Sequence, residues 1–288
     1  MSVIQGIILG ILQGVAEFLP ISSSGHLAVA QNIFGLDDIP LLFDVFLHLA
    51  TLAAVCLYFW RKIWELLKCF GRWISKSPKL KENSQVYDVV LAQKDEINRK
   101  IIIAIILSTV VTGVMGVVSS KMIPNLSIKV TCCGFLVTSL FLILSSITEK
   151  RNSKLTQNSG VEKTLCVSKV QALIIGFMQG IGTLPGISRS GSTIAGALFC
   201  GVDRSLAGEF SFIISIPAIL GAFVLELKDL GEVSSTIGAA PVIAGCAAAF
   251  AAGYISLTLL MKMIKKGKLQ YFAFYLVPLA IFGLIFLK

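Results

Sequence analysis

Charge is scarce in this chain. Asp, Glu, Lys and Arg make up 14% of its 288 residues, where a soluble domain of this size carries about 25%. That shortage excludes a soluble enzyme, a disordered chain and a fibrous one. Histidine occurs only twice, at His26 and His48. The seven cysteines are scattered and form no CxxC pair, so they read as small core residues rather than disulfides or metal ligands. No basic segment precedes the N-terminal apolar stretch, which itself holds Gln13 and Glu17, so a cleavable signal peptide is not expected.

What fills the chain instead is apolar: 55% hydrophobic residues, with a mean hydropathy of +0.84. Uncharged runs near membrane-spanning length recur at Val45–Trp60, Ile101–Ser120, Val130–Thr148, Phe210–Leu225, Pro241–Met261 and Gln270–Leu287. The first and fourth are short, so they recruit flanking polar residues or tilt. The pattern is that of a polytopic integral membrane protein, all-α, forming a single domain over 1–288.

The net charge of +9 is not a nucleic-acid signal. Ten of the 25 basic residues fall between Arg61 and Lys100, five between Lys150 and Lys169, and four between Lys262 and Lys268. These segments, 61–100 and 149–169 above all, read as cytoplasmic loops under the positive-inside rule. Acidic clusters at Asp37, Asp38 and Asp44, and at Glu226, Asp229 and Glu232, fit the opposite face. Six crossings follow. The stretches 1–35 and 170–205 are left over, each interrupted by Gly, Pro, Ser and a charge. They are expected to be re-entrant broken helices buried in protein.

Those two stretches repeat each other. At a constant offset of 166, seven of the 16 positions in 10–25 are identical to those in 176–191. Gly10-Ile-Leu-Gln13-Gly14 matches Gly176-Phe-Met-Gln179-Gly180, and Ile21-Ser-Ser-Ser-Gly25 matches Ile187-Ser-Arg-Ser-Gly191. In the expected topology they enter from opposite sides, as inverted repeats spanning approximately 1–120 and 170–265 and meeting near the midplane.

The second stretch, Leu184-Pro-Gly-Ile-Ser-Arg-Ser-Gly-Ser-Thr193, combines helix breakers with a new helix start. Gly186, Ser188, Ser190, Gly191 and Thr193 would surround Arg189 with amide and hydroxyl donors, an anion cradle. A guanidinium at membrane depth needs an anionic partner, and its planar fork matches phosphate oxygens. The alternative is that Arg189 pairs with Glu17 as a structural lock. In the first stretch, Gln13 and Glu17 share a helix face. Glu17 is a candidate metal ligand or base, His26 a candidate acid or base, and Ser23 a candidate nucleophile. His48 reads as an ordinary buried histidine.

At this point a family resemblance emerges. Gln13-Gly-Val-Ala-Glu17-Phe-Leu-Pro-Ile-Ser-Ser-Ser-Gly25-His26 resembles the first signature of the undecaprenyl-diphosphatase, or bacitracin-resistance, family. Leu184-Pro-Gly-Ile-Ser-Arg-Ser-Gly-Ser-Thr193 resembles its second. Phe43-Asp-Val-Phe-Leu-His-Leu-Ala-Thr51 and Glu209-Phe-Ser-Phe212 are similar to further family segments. The resemblance implies six transmembrane helices with two re-entrant hairpins in the cytoplasmic membrane of a bacterium. It implies hydrolysis of undecaprenyl diphosphate to undecaprenyl phosphate and phosphate at a site facing the outer side, which recycles the carrier for peptidoglycan synthesis. It further implies a divalent cation, Mg²⁺ or Ca²⁺, at Glu17 and tentatively Gln13. Gln13 stands where many members have Glu. Glu17, His26, Ser188, Arg189 and Thr193 inherit active-site roles, with Ser23 beside them. The expected partners are a polyprenyl diphosphate lipid and the bilayer, with no nucleic acid and a homodimer left open. The rival function is an inverted-repeat transporter or flippase of a lipid phosphate or another anion.

Overall fold

The computed structural model describes residues 1–36, 41–75, 86–122, 128–159, 166–226 and 238–286. Within them lie eleven helices and no strand. The first two, α1 (Val3–Phe18) and α2 (Ser23–Ile33), form a broken hairpin, and α7 (Lys169–Ile181) and α8 (Arg189–Phe199) form its counterpart. Around them run α3 (Leu41–Tyr58), α4 (Trp60–Ile74), α5 (Val86–Met122), α6 (Ile128–Ser159), α9 (Arg204–Glu226), α10 (Ala239–Lys265) and α11 (Ala273–Phe286).

The sequence repeat is a structural one. Both α1 and α7 start on a capping box, Ser2 with Gln5 and Ser168 with Gln171, each pair at the offset of 166. The ends of α2 and α8 coincide under the same offset. Leu19, ahead of Pro20, is extended and stops α1. Glycines then let each first helix press onto a long partner, α1 onto α10 and α7 onto α5. A Cβ on Gly10 would lie 2.1 Å from the Gly245 carbonyl oxygen, and one on its counterpart Gly176 would lie 2.6 Å from that of Ser108. Ser108 and Thr112 of α5 reinforce the second contact with hydrogen bonds to the carbonyls of Ala172 (2.7 Å) and Gly176 (3.0 Å). Small residues allowing close backbone approach are the usual way apolar helices associate in lipid.

Five helical segments are long and apolar enough to cross a bilayer: Val90–Ser119, Ile128–Arg151, Arg204–Leu225, Ala239–Lys265 and Leu269–Phe286. A sixth is added if the bent pair of α3 and α4 counts as one. The six apolar runs of the sequence fall within these segments over their described residues, to within a residue at the ends. The short run at Phe210–Leu225 is extended through Arg204 and Glu209.

Three expectations change. The segment 61–100 is not simply loop: α4 occupies its start and α5 its end, because Arg61, Lys68 and Arg72 share one helix face and leave the others apolar enough to pack. Likewise α6 runs to Ser159, into the expected second loop. The broken helices are not fully enclosed either: Ile4, Ile7, Ile8 and Ile11 of α1 are exposed, as are their repeat counterparts Val170, Leu173, Ile174 and Phe177. Apolar stripes of this kind suit lipid. Asp37, Asp38, Asp229 and Glu232 lie outside the described residues.

Candidate active site

The two hairpin turns face one another at the centre of the helical bundle. Phe18, Ile21 and Ile194 belong to the main hydrophobic cluster there, with Phe135, Phe210 and Phe212. Between the turns is a cavity of about 220 Å³. One side is lined by Ala16, Glu17, Ser22, Ser23, Ser24 and His48, the other by Gly182, Thr183, Ile187, Ser188 and Arg189. Ala218, Ile219 and Ala222 of α9 form an apolar wall.

Glu17 is the hub. Its Oε1 accepts from Arg189 Nη2 across the repeat boundary. Its Oε2 accepts from Ser23 Oγ (2.6 Å) and Gln13 Nε2 (3.1 Å), and His48 Nε2 lies 3.3 Å away. The carboxylate is 5% exposed, and a charge buried to that degree persists only when paired and hydrogen-bonded. Two polar atoms in this group are buried without a protein partner, Arg189 Nη1 and Gln13 Oε1. They are a donor and an acceptor left for something else.

Both second helices begin at the cavity. Ser188 caps α8 through its Oγ, which accepts from the Gly191 amide at 3.1 Å, so the helix ladder leaves the amides of Arg189 and Ser190 over. Ser22, at the start of α2, has φ +70° and makes no side-chain cap. A non-glycine residue held there is strained, and such strain concentrates at functional turns. The positive ends of two helix dipoles thus meet beside a guanidinium, an arrangement that binds anions.

The other residues singled out in the sequence fall as follows. Ser190 Oγ donates to the Phe18 carbonyl at 3.2 Å and ties the hairpins together. The Thr193 hydroxyl is spent on the Arg189 carbonyl (2.9 Å) and on Ser211. Gly186 has φ +78°, and a Cβ there would lie 1.9 Å from the Thr131 carbonyl oxygen, so its role is to let the turn pass α6. Gly191 packs against Pro20. Of the predicted cradle, Ser188 and Arg189 line the cavity, and the rest build the turn behind it.

His26 is not brought to this cavity. Its Nδ1 lies 2.8 Å from the Ser22 carbonyl oxygen and its Nε2 2.8 Å from the Tyr275 hydroxyl of α11. The ring also packs on Phe135. His48, taken from the sequence for an ordinary core residue, stands at the site instead, held by a 2.7 Å contact from Nδ1 to the Asp44 carbonyl oxygen. A signal for it existed. Asp44 and His48 are the ionisable pair, four apart, on a largely apolar helix. The carboxylate of Asp44 is itself engaged by Gln31 (2.7 Å).

Gln13 Oε1, the Glu17 carboxylate and Ser23 Oγ form a set of hard oxygen donors. No group of three or more His, Cys, Asp or Glu side chains among the described residues is arranged to hold a metal ion. Oxygen donors of this kind are the chemistry that a hard cation such as Mg²⁺ or Ca²⁺ would take.

Fold and cavity together define a class: a polytopic helical membrane protein with a polar pocket between two broken hairpins. Comparison with known proteins narrows it. The family model described as Bacitracin resistance protein BacA matches residues 6–282, and the chain belongs to that family. It is 46% identical over 281 residues to a protein of Treponema denticola named undecaprenyl-diphosphatase, covering 98% of this chain and 96% of that one. Proteins of the same name in Methanosphaera stadtmanae and Desulforapulum autotrophicum are 36% and 37% identical. Those matches cover 99% and 96% of this chain, and 98% and 95% of theirs.

Proposed function

We propose that this protein hydrolyses undecaprenyl diphosphate to undecaprenyl phosphate and inorganic phosphate, and so recycles the lipid carrier of peptidoglycan synthesis. The relatives' shared name supports this, and membership of the family associates the chain with bacitracin resistance. The observation that carries it is Glu17 bridging Ser23 and Arg189 in a cavity flanked by two helix starts.

In this reading Arg189, Ser188 and the leftover amides of α2 and α8 bind the phosphates and stabilise the charge that moves during transfer. Arg189 exchanges Glu17 for phosphate oxygens, with Nη1 already free to take part. Ser23 Oγ attacks the terminal phosphorus and gives its proton to Glu17 Oε2. The Oγ–P bond forms, the bond from phosphorus to the bridging oxygen breaks, and undecaprenyl phosphate leaves. Water then cleaves the phosphoserine, releasing phosphate. A divalent cation held by Gln13 and Glu17 would neutralise diphosphate charge. His26 holds the strained turn at Ser22 rather than meeting substrate, while His48 orients Glu17. Ala218, Ile219 and Ala222 give the first isoprene units an apolar wall.

The assay is phosphate release from a polyprenyl diphosphate by the purified protein in detergent. Release supports the enzyme. Its absence, with uptake of lipid phosphate in vesicles, supports the transporter reading that the repeats also fit.

Six crossings with the two hairpins as inverted re-entrant elements, and a site open to the outer face of the cytoplasmic membrane, belong to the same proposal. In a background without native Cys, a Cys at Asn83 or Asn158 should resist impermeant thiol reagents in intact cells, and one at Asp38 or Glu232 should react. The reverse pattern would overturn the orientation.

A further inference from the structure

All three tryptophans of the chain, Trp60, Trp64 and Trp73, lie on α4. All three are exposed, as are Leu67, Phe70 and Ile74 of the same helix. Three of the four cations of α4, Arg61, Lys68 and Arg72, gather on a different face. Laid out at 100° per residue, Arg61, Glu65, Lys68 and Arg72 fall within an arc of about 60°, and Trp64, Trp60, Leu67, Ile74 and Phe70 sweep the arc of about 120° next to it. This helix turns 81° away from α3, so it does not continue that helix's direction.

Its depth is fixed by what it touches. Leu66 and Cys69 pack on Ile101 and Ile102 of α5. About two turns earlier on α5 come the charges: Arg72 grips Asp95 through two hydrogen bonds (2.8 and 2.5 Å), and Lys94 pairs with Glu65 at 2.8 Å. The uncharged run of α5 begins at Ile101, directly after Lys100. The helix therefore sits where α5 passes from charged to apolar, the level at which a bilayer's headgroups meet its acyl chains.

Arg61 and Lys68 form no ion pair among the described residues. Each instead lies over an exposed tryptophan, Arg61 at 5.7 Å from the ring centre of Trp60 and Lys68 at 5.3 Å from that of Trp64. Arg99 of α5 reaches Trp73 in the same way at 6.0 Å. Three cations thus stand over the exposed tryptophans of this helix at one depth.

We propose that α4 is an interfacial helix that lies in the plane of the membrane and binds anionic phospholipid headgroups through Arg61, Lys68 and Arg99. Its apolar arc enters the upper acyl region, with the tryptophans at the boundary. Basic side chains at that level attract anionic lipid. This goes beyond the hydrolase reading and does not depend on it.

The chain tests itself, since its intrinsic tryptophan fluorescence reports α4 alone. The full-length protein is placed in bilayers of phosphatidylcholine containing brominated lipid. Bromines near the headgroup end of the acyl chain should quench more than bromines near its methyl end. Brominated phosphatidylglycerol diluted into unlabelled phosphatidylcholine should quench more than brominated phosphatidylcholine diluted into unlabelled phosphatidylglycerol. The apparent preference for the anionic lipid should be severalfold, and it should fall to near one in R61Q/K68Q while the depth profile stays. Deeper bromines quenching best would make α4 part of a span. Equal quenching by both headgroup types would remove the anionic site. Little quenching with emission that shifts with protein density would mean that a second copy covers the face. Each of these three results overturns the proposal.

Discussion

The two hairpins share a backbone plan and divide the chemistry. Position for position, Glu17 corresponds to Thr183, Ser23 to Arg189 and His26 to Ser192 under the offset of 166. Their surroundings differ as well. All of α8 from Ser190 to Leu198 is buried, whereas α2 buries only Gly25 and Leu27. The enclosed hairpin carries the cation, on a helix start held by Ser188 and, through the Ser188 amide, by Thr138 of α6 (2.9 Å). The open hairpin carries the carboxylate and the hydroxyl that would react. A repeated turn thus supplies two equivalent helix N-termini, and divergence at two or three positions makes one of them an electrostatic anchor and the other a reactive edge.

The division is broken most severely at Glu17. Glu17→Gln keeps the shape and removes the proton acceptor, so kcat for phosphate release should fall by about 10²–10⁴. A loss under tenfold would exclude it as base. On the other hairpin, Arg189→Lys keeps the charge and loses the fork, and should cost at least about tenfold in turnover. A wild-type rate would make Arg189 purely structural. Gln13→Glu, which adds a second carboxylate to the open hairpin, should lower the Mg²⁺ or Ca²⁺ midpoint about tenfold. Activity curves for wild type, Gln13→Glu and Glu17→Gln that share one midpoint would remove both residues as ligands. The smallest effect belongs to Tyr275→Phe, which deletes one neutral hydrogen bond to His26. It should reduce turnover about two- to tenfold with the pH profile unmoved. A shifted pH profile would instead return His26 to proton transfer. The repeat itself is tested by Gly10→Ala and Gly176→Ala, each expected to destabilise by about 1–3 kcal/mol in detergent melts. If only one of them does, the two helix contacts are not equivalent.

The hairpins were legible because helix breakers are local signals: Pro20, Pro185 and Gly186 interrupt apolar runs at repeat-related places. The meeting of Glu17 and Arg189 was legible because a charge at membrane depth demands a partner. His48 was not, since its significance lies in α3 crossing beside α1, a tertiary fact with no local trace beyond Asp44. Thr193 and Ser190 showed the right chemistry for a phosphate site, but the sequence does not say that Thr193 spends its hydroxyl on its own helix and Ser190 on the Phe18 carbonyl of the other hairpin. The helical nature of α4 was hidden by reading its cations as a count rather than by their angular spacing. His26 sits in a family signature, yet its partner Tyr275 is 249 residues away.

The ion pair between Glu17 and Arg189 also bears on how the protein is made. A folding intermediate must bring a carboxylate and a guanidinium from segments 172 positions apart into the same low-dielectric core. Neutralising Glu17 strands the guanidinium, a loss on the order of 3–5 kcal/mol for a buried pair, and neutralising Arg189 leaves the carboxylate to Ser23, Gln13 and His48 alone. Glu17→Gln and Arg189→Met should therefore each lower the yield of folded protein in the membrane. Combined, they leave no orphan charge, and the double variant should recover yield while remaining inert. The residues placed here at the centre of turnover are on this account also a checkpoint of assembly, at which the two halves of the repeat must meet before either is stable.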